Sequence, residues 1–510
     1  MSFGNVLSIN AQRHPDKLAL IYQDRHYTYR EFNTIVNRFA WGLQQIGLKK
    51  GEKLAIMMAN SDFFAISYFA ALKIGAVVVP VNFRLVSCEV QYILDQSDSV
   101  FVVGDHESEK VVLEASKAST KVRKIITSPT STHPKCLNFF DVLSSIEDDP
   151  KVEISEDDDF HILYTSGTTG QPKGALFDHK RIEKLISGLS SVMGQSCQDR
   201  ILHVAPLFHC AQLVIYLLPG FYLGMTNVIH REFNPLNVLK DIEKYKITTF
   251  FGVPTMYNYL TQIPEVEQFD LSSIKNCGYG AAPMPPDLLT KSIKLFKTDQ
   301  FFSLYGLTEG GPSGVYLSPE DHKEHFGKTG KTPLLYTIVK VVNEKHEDVS
   351  PGEVGELIIK GETIMKGYYK KRVETLETVK NNWLYTGDLA VVDEEGFITL
   401  VDRKKDMVIS GGENIYSVEI ENVLYEHHSI LEAAVIGVPD SKWGEVVTAV
   451  IILKPNIPLS KEEIQAFCRE KLAGYKIPRS IHFVDHLPRN ASGKVQKFIL
   501  REQYSVTNSK

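Results

Sequence analysis

Apolar residues change period several times in the first hundred positions, and each change marks an element. Thr28-Tyr29-Arg30-Glu31 has capping-box form, and Phe32, Ile35, Phe39 and Leu43 follow at helical spacing. Gly47 is placed to close that helix. Leu54 to Met58 is a continuous apolar run, short enough for a buried strand. Asp62 to Ile74 predicts a helix ending at Gly75, then Ala76 to Val79 and Val100 to Val103 predict two more strands. Short, wholly apolar strands separated by helices imply a sheet covered on both faces, hence an α/β fold.

The pattern breaks twice. Glu147 to Asp159 is acidic and predicts a solvated connector. Phe160 to Leu163 behind it predicts a strand. From Leu335 to Leu400 the chain turns to strands and tight turns, with Asp393-Glu394-Glu395-Gly396 as a hairpin connection. After Asp406 the alternation starts afresh. Val418 to His427 predicts a helix, Ala433 to Val438 and Val447 to Leu453 predict strands, and Ser460-Lys461-Glu462-Glu463 caps a further helix. With 510 residues, one compact core is excluded. The expected architecture is a large N-terminal domain of several α/β subdomains, with parallel-rich sheets flanked by helices and a β-rich unit. A small mobile α+β domain follows at the C-terminus.

Composition adds little except by exclusion. A net charge of −6, from 56 basic and 62 acidic residues, gives no support for nucleic-acid binding. The six cysteines are scattered without a CxxC pair, which argues against a disulfide framework or a zinc site. Leu213 to Met225 is the most apolar window. It is too short to span a bilayer and contains Pro219 and Gly220, so it reads as core or pocket lining. Met1 to Lys17 has no basic-then-apolar signal pattern, and the final Asn-Ser-Lys is not a peroxisomal ending. The expectation is a cytoplasmic protein with no transmembrane segment. Peripheral membrane contact and a homodimer stay open.

The chemistry is concentrated in residues 164–174, Tyr-Thr-Ser-Gly-Thr-Thr-Gly-Gln-Pro-Lys-Gly. Gly167, Gly170 and Gly174 let backbone N–H groups approach an anion. Thr165, Ser166, Thr168 and Thr169 add hydroxyl donors, and Lys173 adds a cation. Many donors, no bulk and one positive charge suit a triphosphate. The loop is not of Walker type, because Lys173 stands between Pro172 and Gly174.

That string resembles the phosphate loop of the adenylate-forming superfamily, which includes acyl-CoA synthetases, aryl-CoA synthetases, peptide-synthetase adenylation domains and luciferases. Further similar strings follow in order: Pro206-Leu207-Phe208-His209, Gly280-Ala281-Ala282-Pro283, Tyr305-Gly306-Leu307-Thr308-Glu309 and Tyr385-Thr386-Gly387-Asp388. They continue with Asp402 to Asp406, Ser410-Gly411-Gly412-Glu413-Asn414-Ile415 and Pro488 to Lys494. The resemblance implies ATP, Mg²⁺ and coenzyme A as partners of a small-molecule carboxylic acid. It implies formation of an acyl-adenylate and then a thioester, with release of pyrophosphate and AMP. It also implies domains at 1–402 and 406–510 joined by a hinge at 403–405.

Residue by residue, the resemblance implies that Lys494 bridges the carboxylate and the α-phosphate. Glu309 and Thr165 are implied on the magnesium. Asp388 matches a ribose-gripping carboxylate, and Arg403 a position near ribose and phosphate. The nucleotide set is completed by Ser166, Gly167, Thr168, Thr169, Gly170, Lys173, Tyr305, Gly306 and Thr308, with Gly280, Ala281, Ala282 and Pro283 as the strand edge against adenine. His209 matches the junction of acyl and thiol tunnels. Lys405 matches the hinge, and Gly411 and Gly412 the strand lining the pantetheine tunnel. The implied acyl pocket comprises His209, Tyr279, Gly280, Gly310 and Gly311.

Two departures fall near that pocket. Pro333 arrives one residue late in Gly327 to Pro333, and Tyr279 stands where many relatives have Gly or Ser. The apolar segments Leu213 to Leu218 and Val253 to Leu260 suggest a greasy tunnel, so a medium- or long-chain fatty acid is the expected substrate. The alternative is an aryl-CoA ligase of the 4-coumarate or succinylbenzoate type. An amino-acid-activating enzyme wants an aspartate near His209, and Pro206 to Gln212 has none. A regulator without turnover is disfavoured by intact Lys494 and Glu309.

Overall fold

The computed structural model describes residues 3–165, 171–264, 266–282, 284–455, 459–489 and 494–505. Thr28 caps the helix Tyr29–Gln45, and its hydroxyl and the Glu31 carboxylate bond each other's backbone N–H as the sequence predicts. The helix Asp62–Lys73 is buried along its whole length, which explains why its residues are apolar all round.

Two large sheets form the bulk of the molecule. In the first, Asp159–Thr165, Val77–Pro80, Lys53–Met57, Ser99–Asp105, Lys124–Ser128 and Cys136–Asn138 lie in that order and run parallel. Lys173–Asp178 returns antiparallel beside Asp159–Thr165. The segment 166–170 between them lies outside the described residues. In the second sheet, Phe301–Gly306, Asn276–Gly280, Thr249–Gly252, Arg200–His203, Thr226–Ile229 and Leu18–Tyr22 run parallel, with antiparallel strands added at each edge. One apolar cluster joins the two sheets: Phe221 stacks on Phe32 at 4.9 Å between ring centres and meets Phe69 edge-on at 4.8 Å.

The acidic stretch is more firmly held than a solvated connector. Asp149 pairs at 2.5 Å with the buried Lys73, and the Glu147 and Asp148 carbonyls accept from Asn37 and Trp41. A buried lysine needs a partner to stay charged. That need pins the connector to the helix Asp62–Lys73.

The β-rich unit is antiparallel and includes Thr337–Val342, Val354–Gly361, Trp383–Val392 and Ile398–Arg403. The hairpin at Asp393 to Gly396 joins its last two strands. Beyond it, Gly444–Leu453 and Ile430–Asp440 form the centre of a separate sheet that also holds Val408–Ser410, Glu413–Ile415 and Ser480–Phe483. The helices Ser417–Tyr425 and Lys461–Arg469 build its own core with Val435, Val447 and Ile451. Among the described residues no helix is long and apolar enough to cross a membrane.

Candidate active site

The site lies where the C-terminal edges of the second large sheet, the β-rich unit and the last segment of the chain meet. Asp388 and Arg403 are register partners on adjacent strands of the β-rich unit. Arg403 Nε lies 2.8 Å from Asp388 Oδ1, and the Tyr305 hydroxyl donates to Oδ2 at 2.7 Å. Asp388 is 6% exposed, so its carboxylate is held rigidly with both oxygens oriented. Thr386 Oγ1 accepts from the Asp388 N–H at 3.1 Å and donates to the Leu357 carbonyl at 2.6 Å. Burial, and then the neighbouring Asp388 charge, push the Tyr305 hydroxyl well above its ordinary pKa, so it stays a neutral donor.

A second cluster surrounds Glu309, which follows the strand Phe301–Gly306. Tyr368 donates to Glu309 Oε1 at 2.8 Å, and the Lys173 ammonium sits 4.6 Å from the centre of the Tyr368 ring. Lys173 is the register partner of Thr165. One tyrosine therefore ties Lys173, beside the glycine-rich segment, to the carboxylate. Thr308 Oγ1 lies 3.3 Å from Cys210 Sγ, which brings the segment after Pro206 against the same loop. Ser166, Gly167, Thr168, Thr169, Gly170 and Pro283 lie outside the described residues.

Lys494 reaches both clusters from the last segment of the chain. Burial lowers its ammonium pKa, and Arg403 adds to the shift. Asp388, Cys210 and Glu309 oppose it, so the ammonium interacts electrostatically with members of both clusters although its side chain is partly exposed. His209 feels Lys494 in turn. Burial first, and Lys494 second, bring the imidazole down to about 4, so it is neutral at physiological pH. Its Nδ1 accepts from the Ala211 N–H at 3.3 Å, which leaves the proton on Nε2. The backbone carrying His209 is fixed from behind. Asn60 bonds the Ala205 carbonyl and the Leu207 N–H, and Gln212, His203 and Asn227 form a buried chain of hydrogen bonds.

Two glycines show close backbone packing. A Cβ on Gly280 would lie 2.5 Å from the Leu304 carbonyl oxygen, and one on Gly306 would lie 2.6 Å from that of Pro312. Ala281 has φ +67° beside Gly280, a strained turn that carries Ala282 out of the strand edge. Gly311 has φ +68°, and a Cβ there would meet the Thr363 carbonyl at 2.3 Å.

Facing Gly278 is a rare element, the π-helix Ala211–Leu217. Tyr216 stacks on Phe251 at 4.8 Å, and its hydroxyl lies 1.9 Å from where a Gly278 Cβ would stand. The hydroxyl is buried with no hydrogen-bond partner among the described residues. Tyr279 is not gathered into this slot, contrary to expectation. Strand alternation turns it to the opposite face, where it joins Leu289 and Phe296 and bonds His322 Nε2 at 2.8 Å.

Lys405 is exposed. Partial desolvation of its ammonium, with the Arg403 and Arg501 charges adding, brings its pKa down to about 8. Gly411 and Gly412 are exposed at φ +62° and +88°, with Gly411 against the Trp443 ring. Sequence reasoning missed Tyr368, Cys210 and Gly278, and reached Tyr216 only as part of the apolar segment Leu213 to Leu218. Each is defined by a contact with a distant segment, so no local string marks it.

A family model described as AMP-binding enzyme matches residues 7–369, and one for the AMP-binding enzyme C-terminal domain matches 419–494. The chain is 35% identical over 495 residues to a feruloyl-CoA synthase of an Amycolatopsis species, covering 97% of each. It is 35% identical over 484 residues to a long-chain-fatty-acid–CoA ligase of Mycobacterium tuberculosis, covering 95% of this chain and 94% of that one. The solved structure of o-succinylbenzoate CoA synthetase from Bacillus subtilis, in complex with its acyl-adenylate intermediate, matches with a TM-score of 0.86. The two are 32% identical, with 98% of each chain covered. The chain belongs to the AMP-binding enzyme family, and within it to the acyl-CoA synthetases, which are acid–thiol ligases.

Proposed function

We propose that the chain activates a compact apolar carboxylic acid, of medium chain length or carrying a single ring, through its acyl-adenylate to the CoA thioester. The observation that carries this reading is the contact of Tyr216 with Gly278, which supports a short acyl slot. The open end of the slot lies at His209 and Gly280. Gly280 is two residues beyond Gly278 on the strand, about 7 Å. Tyr216 is seven residues beyond His209, a rise of at most about 10 Å, since the π-helix climbs less per residue than the roughly 1.5 Å of an α-helix. At about 1.25 Å per methylene, that depth takes six to eight carbons in an extended chain. The long-chain end of the sequence expectation is not favoured by this wall.

In this reading the acid's carboxylate attacks the α-phosphate of ATP and pyrophosphate leaves. Lys494 and Arg403 offset the negative charge that builds on the phosphoryl oxygens. Asp388 accepts from the ribose hydroxyls. Mg²⁺, held by Glu309 and Thr165, would neutralise phosphate charge. A sparse protein set suits this ion, since it keeps phosphate and water as its other ligands. Among the described residues no group of three or more His, Cys, Asp or Glu forms a richer site. The thiol of CoA then attacks the acyl carbonyl and AMP leaves. Residues 406–510 rotate about 403–405 between the steps, withdrawing Lys494 and bringing in Gly411 and Gly412.

A second reading, an aryl acid, is favoured by the aromatic wall of Tyr216 and Phe251, which suits a flat ring. The test is ATP–pyrophosphate exchange over saturated acids from four to sixteen carbons alongside cinnamic- and benzoic-type acids. The proposal fails if activity is highest with sixteen carbons, or if ADP and inorganic phosphate are released.

A further inference from the structure

Residues 402–406 bond to opposite sides of the molecule. Arg403 pairs with Asp388 and Lys404 with Glu356, both in the β-rich unit. Asp402 turns the other way, to the start of the helix Ser417–Tyr425. Its Oδ2 accepts the Ser417 N–H at 2.5 Å, and its Oδ1 accepts the Ser417 hydroxyl at 3.0 Å and the Arg403 N–H at 2.7 Å. Both residues are buried: Asp402 is 5% exposed and Ser417 0%.

The contact continues toward the reacting atoms. Lys497 donates to Ser417 Oγ at 2.6 Å and pairs with Glu421 Oε1 at 2.7 Å. Glu421 Oε1 also accepts the Val435 N–H at 2.7 Å, so this end is anchored to the C-terminal sheet. Lys497 opens the helix Lys497–Ser505, three residues after Lys494. The stretch between them is fixed by a Gln496 N–H to Pro488 carbonyl bond of 2.8 Å and a bridge between Arg489 and Val495. An unbroken line thus runs from Asp402 through Ser417 and Lys497 to the backbone of Lys494.

We propose that Asp402 is a positioning residue for the adenylation step: acting through Ser417 and Lys497, it latches the C-terminal part in the orientation that delivers Lys494 to the nucleotide site. The inference rests on the two-step reading above. Asp402 and Ser417 lie on opposite sides of the rotation point at 403–405, so rotation about it must part them. The latch therefore favours the first half-reaction and must release for the second. Its placement in the fold suits that task. The Asp402–Ser417 hydrogen bonds and the Lys497–Glu421 pair are buried enough to be geometrically strict, and a single carboxylate carries both bonds to Ser417.

The experiment measures each half-reaction by rapid quench in the full chain, for wild type, Asp402→Ala, Asp402→Asn and Ser417→Ala. Adenylate formation should fall at least thirtyfold in Asp402→Ala and by less in Asp402→Asn, which keeps one acceptor oxygen. Conversion of preformed acyl-adenylate and CoA to thioester should stay within twofold of wild type or rise. Loss of both half-reactions to the same degree would mean that Asp402 is merely structural and would overturn the proposal, as would an unchanged first step. Hydrogen exchange reads the latch without turnover. In Asp402→Asn, peptides covering Ser417 and Lys497 should exchange at least tenfold faster, while Lys53–Met57 should not change. Equal exchange would overturn the latch. Failure of wild type to release pyrophosphate with any acid would instead refute the proposed function, and the exchange data would still decide the latch.

Discussion

Replacing Tyr216 with alanine tests the acyl slot directly. The phenol removed spans about 6.5 Å from Cβ to hydroxyl, room for about four to five methylenes of substrate. Each methylene moved from water into that space is worth about 0.8 kcal/mol. Four of them give about 3 kcal/mol, an upper bound of about 200-fold in kcat/KM for a twelve-carbon acid relative to an eight-carbon one. Partial collapse of the cavity would reduce this, so a gain of about 20- to 200-fold is expected. Tyr216→Phe should keep the wild-type length profile, because the ring still stacks on Phe251. It should not lower thermal stability, since the hydroxyl it removes is buried and unpaired. Gly278→Ala should shorten the slot, because the new methyl would stand 1.9 Å from the Tyr216 hydroxyl and force the ring aside. The assay is steady-state thioester formation over a homologous series of acids. An unchanged length profile in Tyr216→Ala would refute the reasoning, since the wall would then lie elsewhere.

Four other outcomes follow from the same geometry. Lys494→Ala should slow adenylate formation by about 2–4 kcal/mol of transition-state stabilisation, yet convert preformed adenylate at near-normal rate in single-turnover assays. Lys405→Pro should do the reverse, because proline fixes φ and blocks rotation; both variants slowing one step would exclude the alternation. Tyr368→Phe removes the donor to Glu309 and should raise the Mg²⁺ concentration for half-maximal activity by about 10-fold or more, with about 150-fold as the upper bound set by the roughly 1.5–3 kcal/mol of a bond to a charged group. Acid should unfold the protein steeply. Burial lowers His161 to about 3 and His179 and His203 to about 4, from an ordinary 6.5, so the unfolded chain binds more protons below pH 6.5. Stability is full above that pH and falls toward pH 4 by about 1.4 kcal/mol per pH unit for each histidine, as urea titrations at several pH values would show.

Much of the fold was legible because its elements satisfy themselves locally. The helix Tyr29–Gln45 is written in its cap and its period, and the strand Lys53–Met57 in an apolar run between turns. Lys494, Glu309, Asp388 and Arg403 were marked by the strings that surround them, and of these the structure pairs Asp388 with Arg403. Tyr279 shows the limit. It sits between Gly278 and Gly280 in the chain, and a strand sends neighbours to opposite faces, so its position in a motif did not give its side. Tyr368 shows another. It reaches Glu309 across 59 positions, and nothing in the local string says which carboxylate its hydroxyl will find.

The stretch from Asp402 to Asp406 explains why one short string can serve both binding and motion. Arg403 and Lys404 face the β-rich unit, while Asp402 and Asp406 face the C-terminal part through Ser417 and Arg501. Lys405 is exposed between them. In the proposed two-step reading, a rotation centred there needs to break the Asp402–Ser417 contact but neither the Asp406–Arg501 pair, which lies wholly in the C-terminal part, nor the Asp388–Arg403 pair, so the proposed ribose grip can persist while Lys494 leaves. The physical demand on the sequence is therefore a division of partners between the two sides within five residues. That demand is met by charged side chains of both signs, since each must be held by one specific partner and released without exposing an apolar surface. A hinge made of small, neutral residues would turn as easily but could not hold Lys494 to the tolerance that charge stabilisation at the α-phosphate requires.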